Sequence, residues 1–259
     1  MDHLKLPNGR AMPVLGLGTW DLRGKACLEA VRQALRLGYR HFDTAEMYGN
    51  EVEIGKALAP SGIARGELFI TTKVWTNHHK EGDFRKSAED SLVRLGLDYV
   101  DLLLIHWPNP SVPLEETIRG LCRVAQEGKA LAIGVSNFPA SLAKKAASLA
   151  TLPLSCDQAP YSLPENQDEL LAYTRSQSMA LCAYSPLGRG AFLSRKELKD
   201  VGKKLGKTPG QVALRWLIRQ EGVAAIPKAS GEKHLKENLD IFDFDLDPTD
   251  LKILAGLRE

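Results

Sequence analysis

The sequence has none of the cysteine clustering that marks a disulfide scaffold or a zinc site. Cys27, Cys122, Cys156 and Cys182 lie far apart, with no CxxC pair and no histidine at ligand spacing. Reduced thiols in a cytoplasmic protein, and no metal, are expected. No apolar run approaches the roughly 18 residues a membrane span needs, and the opening "MDHLKLPNGR" lacks the charged start and apolar core of an export signal. A surplus of one charge is also missing. The 34 Lys and Arg nearly balance 32 Asp and Glu, for a formal net charge of +2, and they are scattered among acids, which argues against nucleic-acid or membrane partners. A small molecule is the expected partner. The GxGxxG of a Rossmann unit is absent too: Gly16 and Gly18 are followed by Asp21, and Gly188 and Gly190 by Leu193, where the third glycine belongs. No linker or composition shift divides the 259 residues, so one domain over 1–259 is expected.

What is present is alternation. Short β-branched or aromatic runs trade places with longer amphipathic stretches almost from end to end, the pattern of parallel strands joined by crossover helices. Eight strands are expected, at 14–19, 39–44, 68–74, 99–107, 130–136, 154–160, 179–186 and 222–229. Between the first two, "KACLEAVRQALRLG" predicts a helix with Ala26, Ala30, Val31, Ala34 and Leu35 on its apolar face and Gly38 as its stop. Eight βα units in about 250 residues predict an α/β fold, the (β/α)8 TIM barrel. Before it, "LKLPNGRAMPV" reads as a β-hairpin around Asn8-Gly9, set as a plug over the barrel floor.

Catalytic groups of such barrels come from the C-terminal strand ends. The stretch "YRHFDTAEMYGNE" at 39–51 reads as a half-buried strand that finishes on Asp43 and is followed by Tyr48; the third strand ends with Lys73 and the fourth with His106. Singly, each has a structural alternative: a helix cap, a solvated amine, a core phenol, a packed imidazole. Together they form a set in which Asp43 neutralises a buried lysine, while a phenol beside that ammonium gives up its proton more readily than in water. Tyr, Lys and His so placed suit protonation of a carbonyl oxygen while hydride arrives at carbon. No side chain donates hydride, so a nicotinamide cofactor is implied. Trp20, Trp75 and Trp107 lie just past strand ends and are candidate substrate walls, with rim packing as the alternative. His3, His41, His78 and His79 have no partner at informative spacing, and "WTNHHKEGD" reads as a solvated loop.

These residues resemble the aldo-keto reductase family. "GLGTW" at 16–20, "HFDTAEMYGNE" at 41–51, "TKVW" at 72–75, "DYVDLLLIHWP" at 98–108, "IGVSNF" at 133–138, "AYSPLGRG" at 183–190 and "IPKA" at 226–229 look like its motifs in its order, nearest a bacterial small-aldehyde or diketogluconate reductase branch. The resemblance implies Tyr48 as proton donor, Lys73 lowering its pKa, Asp43 anchoring Lys73, and His106 orienting the carbonyl. It implies an NADPH-dependent monomer whose cofactor lies extended across the barrel mouth. Ser136, Asn137 and Gln158 would hold the carboxamide, Tyr184 would stack on the nicotinamide, and Ser185, Leu187 and Gly188 would follow the pyrophosphate. Lys228, Glu237 and Asn238 would lie near the 2′-phosphate and adenine.

The sequence departs from the family at Ala229 and His234, where many NADPH-dependent members have serine and a phosphate-gripping arginine. The expectation is NADPH preferred through Lys228, with Ser230 as a substitute hydroxyl and usable NADH activity. The last helix, at 248–259, is not followed by the C-terminal lid of many members, so small carbonyls such as methylglyoxal or diketo sugar acids are expected. Two rivals stay open: a Schiff-base aldolase using Lys73, and a nicotinamide-binding regulatory subunit.

Overall fold

The computed structural model describes residues 2–258; Met1 and Glu259, the two ends of the expected domain, lie outside the described residues. β1 (His3–Lys5) and β2 (Ala11–Pro13) pair antiparallel across the Asn8-Gly9 turn, where Gly9 takes φ +84°, a left-handed angle glycine adopts without steric cost. β3 (Leu17–Gly18), β4 (His41–Asp43), β5 (Phe69–Val74), β6 (Leu102–Ile105), β7 (Ile133–Ser136), β8 (Leu154–Pro160), β9 (Ala180–Tyr184) and β10 (Val223–Ala225) form a parallel sheet in chain order. Its two ends meet at a bridge between Leu15 and Ala225, with Gly16 N–H donating to Ala225 O at 2.9 Å and Ala225 N–H to Val14 O at 2.8 Å. The sheet is therefore closed, and all eight expected strands are present.

The helices are α1 (Gly24–Leu37), α2 (Glu51–Leu58), α3 (Glu81–Leu95), α4 (Leu114–Gln126), α5 (Ala140–Leu149), α6 (Asp168–Ser176), α7 (Lys196–Leu205), α8 (Pro209–Ile218), α9 (Glu232–Leu239) and α10 (Pro248–Ala255). One follows each of β3 to β8, two follow β9, and α9 and α10 follow β10. α1 ends as expected, with Gly38 at φ 101° and its N–H on the Ala34 and Leu35 carbonyls. Its buried stripe is Cys27, Ala30, Val31, Ala34 and Leu35, and Ala26 is exposed. The helical period puts Cys27, not Ala26, in line with the others.

A barrel buries both faces of every strand. On β6, Leu102 and Leu104 join Phe69, Cys156, Cys182 and Ile226 inside, whereas Leu103 and Ile105 pack under the helices. For the same reason β4 is buried at His41, Phe42 and Asp43 alike, not on one face as its alternation suggested. Leu6 and Met12 of the hairpin enter the inner cluster, and Asn8 Nδ2 donates to Leu131 O (2.7 Å) while Arg10 Nη2 donates to Asp101 Oδ1 (2.5 Å), both near the strand starts. The hairpin is the floor plug that the sequence predicted.

Two histidines read as partnerless are held by the barrel. His41 is buried, with Nδ1 3.2 Å from Pro13 O, Nε2 3.4 Å from Thr71 Oγ1 and its ring edge-on to Phe69. The solvated-loop reading of 75–83 fails at His79, which is 1% exposed and packs near Phe84 of α3. Its neighbour His78 stays half-exposed and pairs with Glu46 at 2.6 Å. The chain here turns back over the rim, and a rim turn has a buried side that composition does not reveal.

Candidate active site

Alternation along parallel strands sends one stripe of each into the barrel. Low down that stripe is apolar. Toward the C-terminal ends it becomes Asp43 on β4, Lys73 on β5, His106 just past β6, Gln158 on β8 and Tyr184 on β9. Lys73 Nζ donates to Asp43 Oδ1 (2.5 Å), to Thr44 O (2.8 Å) and to Tyr48 Oη (3.4 Å). Gln158 Nε2 donates to the second oxygen, Asp43 Oδ2, at 2.7 Å. The Lys73 and Asp43 side chains are 1% and 2% exposed.

Burial works against the Lys73 charge, but Asp43, Tyr48 and their hydrogen bonds outweigh it and its pKa stands above the usual lysine value. For Tyr48 the balance runs the other way from expectation. Burial raises the phenol, Lys73 draws it down, and the net direction is upward. Tyr48 is thus a phenol that keeps its proton at neutral pH, beside a cation that favours its departure. His106 is pushed down to about 3 by burial, by the Lys73 charge and by His79. It presents a neutral imidazole, edge-on to Tyr48 (5.6 Å between ring centres) and to Trp75 (4.9 Å).

The Tyr48 turn is pinned from beneath. Asn50, fully buried, accepts from Thr44 Oγ1 (2.6 Å) and donates to the Thr19 and Leu22 carbonyls (both 2.9 Å). Glu46 accepts from Trp75 N–H (3.0 Å) and Ser87 Oγ (2.8 Å). Sequence reasoning missed both residues, although "EMYGNE" placed them within two positions of Tyr48. On the far wall, Tyr184 Oη donates to Asn137 Oδ1 (2.7 Å), Asn137 Nδ2 to His106 O (2.9 Å) and Ser136 Oγ to Gln158 O (2.9 Å).

A groove of about 680 Å³ opens above these groups. Of the expected residues, Asp43, Tyr48, His106, Trp20, Trp107, Ser136, Asn137, Gln158, Tyr184, Ser185, Leu187 and Lys228 line it. Lys73 lies below its floor, Trp75 stands behind His106, and Gly188, Ser230, His234, Glu237 and Asn238 are outside the lining. His234 is exposed on α9 with Nδ1 3.0 Å from Glu237, and Asn238 is buried beside Tyr39. Asp21, Met47 and Arg189, which were not among the expected site residues, also line the groove. Among the described residues five non-glycine residues have left-handed backbones, and four of them, Asp21, Asn137, Ser185 and Arg189, line this groove. Such angles cost roughly 1–3 kcal/mol each and gather at functional sites.

A family model described as the Aldo/keto reductase family matches residues 14–259. The chain belongs to that family. It is 39% identical over 259 residues to the glyoxal reductase of Bacillus subtilis (strain 168), covering 100% of this chain and 93% of that protein. It is 37% identical over 260 residues to the methylglyoxal reductase DkgA of Escherichia coli (strain K12), covering 99% and 93%. Among solved structures, an aldo/keto reductase from Brucella melitensis superposes with TM-score 0.93 at 38% identity, covering 98% of both chains. A Bombyx mori aldo-keto reductase in complex with NADP superposes with TM-score 0.91 at 32% identity, covering 98% and 92%. As a member of this family the chain is an oxidoreductase of carbonyl groups.

Two outcomes follow from the electrostatics. His41, lowered to about 4 by burial, and His106, at about 3, are neutral when folded at pH 7. Unfolded they titrate near 6.5, so protonation favours unfolding. Stability is full above about pH 6.5 and falls as pH drops toward 4, by at most about 1.4 kcal/mol per pH unit for each ring. Denaturant midpoints across pH 7 to 4 test this, and a curve flat over that range contradicts it. Separately, Lys73→Met strands the buried Asp43 charge at about 3–5 kcal/mol, so unfolding free energy and turnover fall together. A fully stable Lys73→Met protein shows that the pair is not coupled.

Proposed function

We propose that this chain is an NADPH-dependent reductase of small aldehydes and ketones, such as methylglyoxal or diketo sugar acids, with Tyr48 as general acid. It acts as a single-domain cytoplasmic monomer. One observation carries the reading: the Tyr48 hydroxyl sits 3.4 Å from the buried Lys73 ammonium, in a groove walled by Trp20 and Trp107. The names of the relatives, glyoxal and methylglyoxal reductases, support the substrate class.

The residues present fit a nicotinamide dinucleotide. Tyr184 offers an aromatic face, and Gln158, whose N–H is engaged by Asp43, has its carbonyl oxygen to accept from a carboxamide. Ser136 and Asn137 stand beside it, Ser185, Leu187 and Gly188 form a turn with left-handed Ser185 and Gly188, and Lys228 places a cation further along. Ser230 precedes α9, which carries His234, Glu237 and Asn238. When bound, the nicotinamide supplies the hydride that no side chain can.

The chain's own groups do the rest. Trp20 and Trp107 exclude water around the carbonyl. Neutral His106 and Tyr48 converge on its oxygen. As negative charge develops there, Tyr48 passes its proton from Oη, and Lys73, held charged by Asp43, stabilises the phenolate left behind. The same pairing disfavours a Schiff-base role for Lys73, since that chemistry needs a neutral amine. It disfavours a purely regulatory role too, because a binding subunit has no use for a buried proton-transfer set.

Purified protein should therefore consume NADPH when given methylglyoxal or short aldehydes. Tyr48→Phe should bind NADPH nearly as well while losing about 100-fold to 10,000-fold in kcat; retention of a tenth of wild-type kcat removes Tyr48 from this role. Cofactor choice is tested at α9. Here NADPH is held through Lys228, and His234 beside Glu237 is a weak substitute for a phosphate-binding arginine. His234→Arg should add a charge-assisted hydrogen bond of about 1.5–3 kcal/mol and raise the NADPH to NADH ratio of kcat/KM about 10-fold to 100-fold. An unchanged ratio takes position 234 out of the phosphate subsite.

A further inference from the structure

Two cationic side chains line the groove, and they differ in one respect. Lys228 is held by Asp21 at 3.6 Å. Arg189 makes no ion pair or hydrogen bond among the described residues; its guanidinium lies over the Trp20 ring, 4.9 Å from the ring centre. The other charges of the site are matched, Asp43 with Lys73. Among the described residues Arg189 is thus the unmatched charge lining the groove that also holds Tyr48, His106 and Trp107.

Its backbone is committed to that position. Gly188, Arg189 and Gly190 take φ 53°, 53° and 88°, three left-handed residues in a row. The glycines adopt this freely, but arginine does not. A strained non-glycine residue between two glycines brings its side chain back across the mouth onto Trp20. A guanidinium resting on an indole keeps its in-plane N–H donors available, and those donors match a carboxylate two at a time.

We propose that Arg189 is a specificity-determining residue that binds the carboxylate of an anionic carbonyl substrate, so that the enzyme favours oxo acids and carboxylated aldehydes over neutral ones of equal size. The proposal rests on the carbonyl-reductase reading and names its substrate class. The carbonyl reaches Tyr48 and His106, the apolar body of the substrate lies along Trp20 and Trp107, and its carboxylate meets Arg189 at the mouth.

The test compares 4-carboxybenzaldehyde with 4-methylbenzaldehyde, matched in shape and differing in charge, in wild type, Arg189→Gln and Arg189→Lys. Wild type is expected to prefer the carboxylate. In Arg189→Gln the ratio of the two kcat/KM values should fall about 10-fold to 100-fold, through KM rather than kcat, with NADPH Kd within about twofold. Arg189→Lys should fall between, since an ammonium keeps the charge and loses the fork. Wild type without preference, or a ratio unmoved in Arg189→Gln, overturns the proposal. So does a weakened NADPH Kd with an unmoved ratio, which would make Arg189 a clamp on the cofactor. Calorimetric binding of 4-carboxybenzyl alcohol, with saturating NADP+, separates the two claims. If no aldehyde is reduced but this binding weakens at least tenfold in Arg189→Gln, the subsite stands and the reductase reading fails. If binding is unchanged as well, the subsite falls too.

Discussion

The ion pair between Lys73 and Asp43 constrains everything around it. Moving two opposite charges out of water costs several kcal/mol per ion, and their attraction offsets this only when the remaining donors and acceptors are also matched. Here they are: Asp43 accepts from Lys73 on one oxygen and from Gln158 on the other, and Lys73 also donates to the Thr44 carbonyl and to Tyr48. Those partners come from β4, β5 and β8 and from the turn after β4. Satisfying one buried pair therefore fixes the relative positions of three strands and one phenol.

The rim is organised to the same end. Asn50 ties the Tyr48 turn to the Thr19 and Leu22 carbonyls, Glu46 ties it to Trp75 and to Ser87 of α3, and Asn137 ties His106 to Tyr184. A proton donor, the role proposed for Tyr48, must stay within hydrogen-bond reach of its target, and strand ends braced by side-chain bonds hold it there better than free loops. Left-handed backbones at Asp21, Asn137, Ser185 and Arg189 show where the wall is held in shape against local preference. The closed barrel beneath, plugged by Leu6 and Met12, supplies the rigidity that this strain needs.

Much of this was legible because parallel barrel strands have a period and an order. The period gave eight strands, and the rule that strand C-terminal ends face the barrel mouth marked Asp43, Lys73 and His106, which the fold brings to one rim. Reading failed where an outcome depended on what packs opposite. The local pattern of β4 gave no sign of helices outside it, so the strand looked half-buried. His79 sits among polar neighbours in sequence yet under α3 in space. The Tyr48 proton affinity is a difference between burial and a nearby charge, and sequence conveys the charge without the depth of burial. Arg189 went unnoticed because a glycine-flanked arginine reads as an ordinary turn.

The amino-acid sequence by itself determined the alternation of strands and helices, the turn at Asn8-Gly9, the stop at Gly38 and the order in which the site residues are strung. These are short-range properties, set by side-chain periodicity and backbone freedom within a few residues. Only the tertiary structure decided that Gln158 joins Asp43, 115 residues away in the chain, that Lys228 is engaged by Asp21 while Arg189 rests on Trp20, and that His106 is a neutral imidazole. Each of those is a balance between desolvation and partners brought from distant strands, and it exists only once the barrel has closed and water has been excluded.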